Sequence, residues 1–224
     1  MTLLKIFARI IQNVIEDLLR PISGPAGIRL RRMYYRRRFA ACGTNLRIGP
    51  GVLIQAPEFM KVGDNVWLDR NSTFICGIAG DAGRTRLIEN HGDTEKGCVN
   101  IGTNCHVGIN AVIQGHGGVS IGDYFTCSAN CCIYSLSNDP SLCRHGTVGT
   151  EQTEVFYVES PVVLGCNVWL GIGVVAIGAK IGNDCFVKPG AVVTGEIESN
   201  SIVGGFPAKR QRERFPQPPV ETEA

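Results

Sequence analysis

An all-β solenoid, headed by an amphipathic α-helix and interrupted by two long loops, is the fold class this 224-residue sequence predicts. Three observations predict it. An aliphatic residue returns every six positions from residue 46 onward. Glycine is abundant at 28 residues while aromatics make up only 7%, which suits narrow repeated turns and not a bulky aromatic core. Two polar, Gly-rich stretches, 77–98 and 136–160, break an otherwise regular period. Fixed-period self-similarity is the mark of stacked structural repeats.

The chain divides into three parts: a helical, basic head over 1–43, a solenoid over 44–210, and a polar tail over 211–224. In the head, Leu3, Phe7, Ile10, Val14 and Leu18 follow three- and four-residue spacing. Leu4, Ile11, Ile15 and Leu19 widen the stripe, so residues 3–20 read as an amphipathic helix ended by Pro21 and Gly24. Lys5, Arg9, Glu16 and Asp17 interrupt the stretch. It is therefore neither a secretory signal nor a membrane span.

Net charge is only +2, but nine Lys/Arg lie in residues 1–38 against Glu16 and Asp17. The head carries +7 and the rest −5. Two readings of this head stand. The helix packs on its own domain or on a neighbouring subunit, or residues 1–38 lie peripherally on an anionic membrane. Nucleic acid is not expected as a partner, since no binding motif accompanies the charge.

The repeat runs through Ile48-Gly49, Val62-Gly63, Ile101-Gly102, Val107-Gly108, Ile121-Gly122, Leu164-Gly165, Leu170-Gly171 and Ile181-Gly182. Leu68, Phe74, Ile113, Ile133, Val187 and Val193 keep the register without the glycine. Three short strands per turn make a triangular coil. Each aliphatic residue points inward and stacks on its counterpart one coil away, with Gly, Asn and Asp at the corners. The segment Ala176–Lys180 is one residue short, and a local bulge is expected there.

Ten cysteines fall mostly on these small apolar positions, with no CxxC pair and no Cys/His zinc spacing. They read as reduced thiols acting as small hydrophobes in a cytoplasmic protein, and no metal is expected.

The segment 164–209, closing on Gly205-Phe206-Pro207-Ala208-Lys209, resembles the C-terminal coils of hexapeptide-repeat O-acetyltransferases, the group that includes galactoside, maltose and polysaccharide acetyltransferases. Ile113–Asp123 (IQGHGGVSIGD) and Ile133–Asn138 (IYSLSN) are similar to their middle coils. The resemblance covers about residues 45–210. It implies a left-handed parallel β-helix, a homotrimer with sites in clefts between subunits, acetyl-CoA as co-substrate and a saccharide acceptor. It also implies a histidine that deprotonates the acceptor hydroxyl and a backbone N–H that steadies the oxyanion.

In the family pattern the histidine falls at Asn138 or one residue later, and here Asn138 and Asp139 stand there. Four alternatives follow for the catalytic role: His145 in the same loop, His116 in Gly115-His116-Gly117-Gly118, Asp139 with a raised pKa, or no base at all. His106 reads as a structural corner and His91 as a loop residue. On the donor side Trp169, Gly171, Ile172, Pro189, Gly190 and Thr194 match positions that border the pantetheine arm. Lys209 and Arg210, with Arg212 and Arg214 beyond, match the phosphate end. The competing function is a non-catalytic β-helix scaffold or regulatory subunit. A zinc-dependent carbonic anhydrase is disfavoured, because no close histidine pair is present.

Overall fold

The computed structural model describes residues 3–79, 83–87, 94–138, 141 and 155–216. Three parallel sheets dominate it, and the chain visits them in rotation. Face I stacks Ala41–Cys42, Met60–Val62, Val99–Ile101, Val119–Ile121, Val162–Leu164, Lys180–Ile181 and Glu196–Ile197. Face II stacks Arg47–Ile48, Trp67–Leu68, His106–Val107, Thr126–Cys127, Trp169–Leu170, Phe186–Val187 and Ser201–Gly205. Face III stacks Leu53–Gln55, Thr73–Ile75, Val112–Gln114, Cys132–Tyr134, Val175–Ile177 and Val192–Val193. This rotation fits the expected β-helix coil.

Backbone hydrogen bonds run between coils: Gly63 N to Ile101 O, Gly102 N to Ile121 O and Gly122 N to Leu164 O, at 2.9, 2.9 and 2.8 Å. Inside, Ile48, Leu68, Val107, Cys127, Leu170 and Val187 form one buried ladder. Ile54, Phe74, Ile113, Ile133, Ala176 and Val193 form another. Cys127 thus stands in line with valines and leucines. Burial pushes the Cys76 thiol up to about 12 and Cys105 up to about 11, which suits inert thiols used as packing groups.

The corners explain the polar part of the repeat. Between faces I and II, Asn45, Asn65, Asn104, Tyr124, Asn167, Asp184 and Asn200 all have φ between 54° and 58°, the left-handed region in which Asn and Asp are the tolerated non-glycine residues. Their amides form ladders: Asn45 Nδ2 donates to Asn65 Oδ1 and Asn65 Nδ2 to Asn104 Oδ1, both at 3.0 Å. Tyr124 breaks this ladder. The preceding glycines pack where no side chain fits. A Cβ on Gly102 would lie 2.4 Å from Asp123 Oδ1 and 2.7 Å from the Gly122 carbonyl carbon. The shortened segment near 176 is taken up by Gly178, at φ 53°, and strand pairing continues on either side with no bulge there.

The head holds two helices, α1 (Leu3–Leu19) and α2 (Gly24–Tyr35). The second carries Arg29, Arg31 and Arg32 of the basic head, where the sequence predicted one helix. Pro25 opens it at a position where its missing N–H costs nothing. Its buried stripe is Gly27, Arg31 and Tyr35, so a polar residue occupies the middle of the face that packs. Arg31 is 1% exposed. Its Nε donates to Ile48 O at 3.0 Å, and its Nη1 to Leu19 O at 2.9 Å and Ile22 O at 2.7 Å. One guanidinium thereby ties the C-terminus of α1 to α2 and to the first coil. Phe7, Ile10, Ile11, Val14, Ile15 and Leu18 stay exposed on α1. No described helix is long and apolar enough to cross a membrane.

The two insertions meet. Gly83–Leu87 pairs parallel with Val155–Glu159, which pairs antiparallel with Leu136–Asn138. Lys96 forms an ion pair with Glu159, and Lys61 with Glu95 at 2.7 Å. A small separate sheet therefore stands over the corner between faces III and I. At the C-terminal end Ala208–Glu213 turns back antiparallel on Ser201–Gly205, so the strand runs through position 210, where the tail was expected to begin.

Candidate active site

The corner between faces III and I builds one half of the candidate site. Gln114 ends its strand there and holds the next coil by three bonds. Its carbonyl accepts from Ser135 N at 3.2 Å and Ser135 Oγ at 2.6 Å, and its Oε1 accepts from Leu136 N at 2.9 Å. Ser135 Oγ also receives the Gly117 N–H at 3.0 Å. This network ties His116 on one coil to the segment that ends at Asn138 on the next.

His116 is half-buried at the foot of the insertion sheet, with Nδ1 2.6 Å from Gly77 O. A carbonyl only accepts, so Nδ1 carries the proton in the neutral ring and Nε2 keeps the lone pair. No hydrogen bond to Nε2 arises from the described residues. The first insertion departs at Gly77, so its first residue fixes the tautomer of the histidine one coil on.

Asn138 is exposed at the end of its strand, opposite Tyr157. It shares the His116 corner. Asp139 and His145 lie outside the described residues, as does His91. His106 departs from its expected corner role: it lies on the outer surface of face II, its ring centroid 4.6 Å from that of Trp67 and its Nε2 3.6 Å from Asp69 Oδ2.

The donor candidates separate into two groups. Gly171, Ile172, Pro189 and Gly190 stack at the corner between faces II and III. Gly190 N donates to Ile172 O at 2.9 Å, and a Cβ on Gly171 would sit 2.6 Å from Pro189 N. Ile172 is exposed beside them. Trp169 leads into this corner along outer face II, half-exposed and 5.1 Å from Phe186. Thr194 instead lies on the His116 corner, after the last strand of face III.

Lys209 and Arg210 project from the returning strand at the C-terminal end of face II, where Arg210 Nε donates to Ser201 Oγ at 3.1 Å. Arg214 is committed to structure, donating to Asn167 O at 2.5 Å and Cys185 O at 3.0 Å. Ser135 went unread in the sequence, and so did the Trp67–His106–Asp69 trio. The signal for the trio was present, because Asn-Val-Trp-Leu occurs at 65–68 and again at 167–170. Among the described residues no cluster of His, Cys, Asp or Glu could hold a metal.

Fold and corner chemistry together define a hexapeptide-repeat β-coil protein with a histidine corner and a glycine-lined corner. No family model matches the chain. The curated relatives it matches include acetyltransferases. Galactoside O-acetyltransferase of Escherichia coli K12 is 26% identical over 159 residues, 69% of this chain and 64% of that protein. Chloramphenicol acetyltransferase of Escherichia coli is 35% identical over 66 residues, 29% of this chain and 31% of that protein. The chain thus matches less than two thirds of the length of either. Among solved structures, AntD, an N-acyltransferase from Bacillus cereus in complex with dTDP and 3-hydroxybutyryl-CoA, superposes with a TM-score of 0.66 at 17% identity, over 83% of this chain and 88% of that one. The chain is similar to the hexapeptide-repeat O-acetyltransferases, in agreement with the resemblance carried by its sequence.

Proposed function

We propose that this protein transfers a short acyl group from a CoA thioester, with acetyl-CoA as the first candidate, to a saccharide hydroxyl. The observation that carries the reading is the His116 Nδ1 bond to the Gly77 carbonyl, which presents Nε2 as a base. Nε2 takes the proton of the acceptor hydroxyl as its oxygen attacks the thioester carbon. A C–O bond forms, and the resulting tetrahedral oxyanion needs a nearby N–H. The C–S bond then breaks, and the CoA sulfur leaves with the proton held by the imidazolium. The glycine corner suits the pantetheine arm, since Gly190 has nothing within 4 Å of where a Cβ would stand, and Lys209 and Arg210 suit its phosphates.

His116 follows the Val112–Gln114 strand, whereas the glycine corner belongs to turns two and three further along and lies at a different edge. A homotrimer, in which the histidine edge of one copy faces the glycine corner of the next, completes the site. Asp139 and His145 remain the competing bases. A nitrogen acceptor is served by the same base, so an amino sugar is tested beside the hydroxyl acceptors. Cysteines packed as thiols support a cytoplasmic location as part of this proposal, and α1 with the arginines of α2 is proposed to contact the inner face of a membrane.

The test is release of CoA thiol from acetyl-CoA in the presence of a saccharide panel, with donor binding followed by calorimetry. Binding near one donor per chain, together with thiol release lost in His116→Ala, supports the reading. Absence of donor binding removes it and leaves the scaffold reading, motivated by Asn138 at the usual base position. Co-sedimentation of the protein with anionic vesicles, unchanged by removal of residues 1–38, would refute the membrane contact.

A further inference from the structure

A shallow groove of about 300 Å³ runs along the N-terminal coils, between the asparagine corner and the outer surface of face II. It is remote in sequence from the donor candidates and takes no part in the chemistry above. One wall is the amide ladder of Asn45, Asn65 and Asn104. The other is the half-exposed ring of Trp67 with His106 packed against it at 4.6 Å and 34°. Arg47 lies at one end, exposed and with no ion-pair partner among the described residues.

We infer that this groove is a binding subsite for a saccharide, with preference for an acidic one. The amide wall carries the first part of the argument. Each Asn has two N–H donors and an oxygen with two lone pairs. The ladder bonds at 3.0 Å use one donor and one lone pair of Asn65. What remains along the wall is an alternation of donors and acceptors, the complement of a run of hydroxyls, each of which both donates and accepts. The left-handed corner fixes all three residues at φ 54–58°, so this array is ordered before a ligand arrives.

The ring wall carries the second part. An indole held rigid on a strand offers a flat apolar surface at little entropic cost, and the C–H face of a sugar ring matches it. Trp67 is 42% exposed. His106 packs against it with its ring tilted by 34°, and Asp69 Oδ2 stands 3.6 Å from His106 Nε2, beyond hydrogen-bond distance. Trp67 occupies the same place in its Asn-Val-Trp-Leu unit as Trp169 in the other, but Asp69 stands where the second unit has Gly171. The first unit therefore has a carboxylate beside the ring wall where the second has an open corner. The volume sits at the small end of ligand pockets, roughly 300–1,000 Å³, enough for one sugar ring and its substituents. Arg47 supplies the single formal charge lining the groove, and a carboxylate or phosphate on the sugar is its complement.

The inference deepens the saccharide-acceptor part of the proposed function, yet its test does not need acyl transfer. The full chain carrying Trp169→Phe leaves Trp67 as the sole tryptophan of the protein. Its emission is titrated without CoA against trigalacturonate, maltotriose and dTMP. The expected result is a saturable change with both saccharides, trigalacturonate binding about 5–10-fold more tightly, as one partly exposed charge pair provides, and no saturable change with dTMP. Arg47→Gln is expected to erase the difference between the two saccharides. Calorimetry on the otherwise unaltered chain is expected to show Trp67→Ala losing both, with Trp67→Phe retaining weakened binding as the check on folding.

No response to either saccharide at about 10 mM, the limit of weak specific binding, overturns the inference, as does saturable binding of dTMP alone. A fall in oligomeric mass in Trp67→Ala, without saccharide binding by the parent, would assign the ring wall to contact between copies and also overturn it. Saccharide binding with no thiol release refutes acyl transfer alone; thiol release without binding in the groove refutes this subsite alone.

Discussion

Replacing Arg31 with methionine keeps a long apolar stem and removes the guanidinium. In the native chain that group is buried and donates to the carbonyls of Leu19, Ile22 and Ile48. The Ile48 bond is buried and the other two are part-buried. A buried acceptor left without a donor costs about 1–3 kcal/mol and water meets part of the need of the other two, so the three together cost about 3–6 kcal/mol. Burying a guanidinium with no carboxylate beside it costs several kcal/mol in the native protein, and its removal offsets part of the loss. The net is about 2–4 kcal/mol. This loss should fall on the junction of α1, α2 and the first coil. The coils beyond it are held by their own ladders, and each contacts mainly its neighbours.

Native-state hydrogen exchange reads this directly. Amides of residues 10–35 should exchange about 30- to 1,000-fold faster in the variant, while those of Val107, Ile113 and Leu170 keep their rates. A folded variant with unchanged exchange over 10–35 would refute the assignment of Arg31 as the clamp. Equal acceleration throughout the coil would refute the claim that the head is energetically local.

Tyr124→Asn should stabilise the protein by about 1 kcal/mol, because Tyr124 sits at φ 58° where its neighbours on the corner are mostly Asn; a melting temperature higher by about 2–4 °C is the expected reading. His116→Ala should lower acyl transfer by about 10²–10⁴-fold with the fold intact, and an unaltered thiol-release rate would move the base to another residue. Trp169→Ala should raise the KM for the donor more than it lowers kcat, measured by steady-state kinetics at saturating acceptor. Cys166, which is exposed, should react with an alkylating agent at pH 8 while Cys76 does not, as peptide mass mapping would show. Cys76 is raised to about 12 in the folded chain, so above the ordinary thiol range the unfolded chain loses a proton that the folded chain retains. Stability should therefore fall as pH rises from about 9 toward 12, and the fall should be shallower in Cys76→Ala by thermal melts across that range.

The coil was legible in the sequence because its cause is periodic. Ile48, Leu68 and Val107 announce an inward position at a fixed interval, and the asparagines mark the corners. The second helix was missed because its buried stripe runs through Arg31, which no apolar pattern reveals. Pairing of Gly83–Leu87 with Val155–Glu159 left no local trace, since strands so far apart in sequence share only an eventual neighbour. His116 was legible as a candidate, but the carbonyl that sets its tautomer belongs to Gly77, thirty-nine residues earlier. His106 was misread as a corner, because its role rests on Trp67 and Asp69 one coil away.

The glycines at Gly63, Gly102, Gly122, Gly165 and Gly182 have backbone or side-chain atoms of the next coil within 3 Å of where a Cβ would stand. Any protein that winds this way must spend its identities at such positions, whatever molecule it handles. Shared residues among distant cousins therefore report how the chain is wound, and divergence in chemistry gathers in what the winding leaves unconstrained: the outward side chains and the two inserted segments. For this protein, a search for kin with the same acceptor gains most from comparing Arg47, Trp67, Asp69 and His106 together with the segments at 77–98 and 136–160, with the repeat itself set aside.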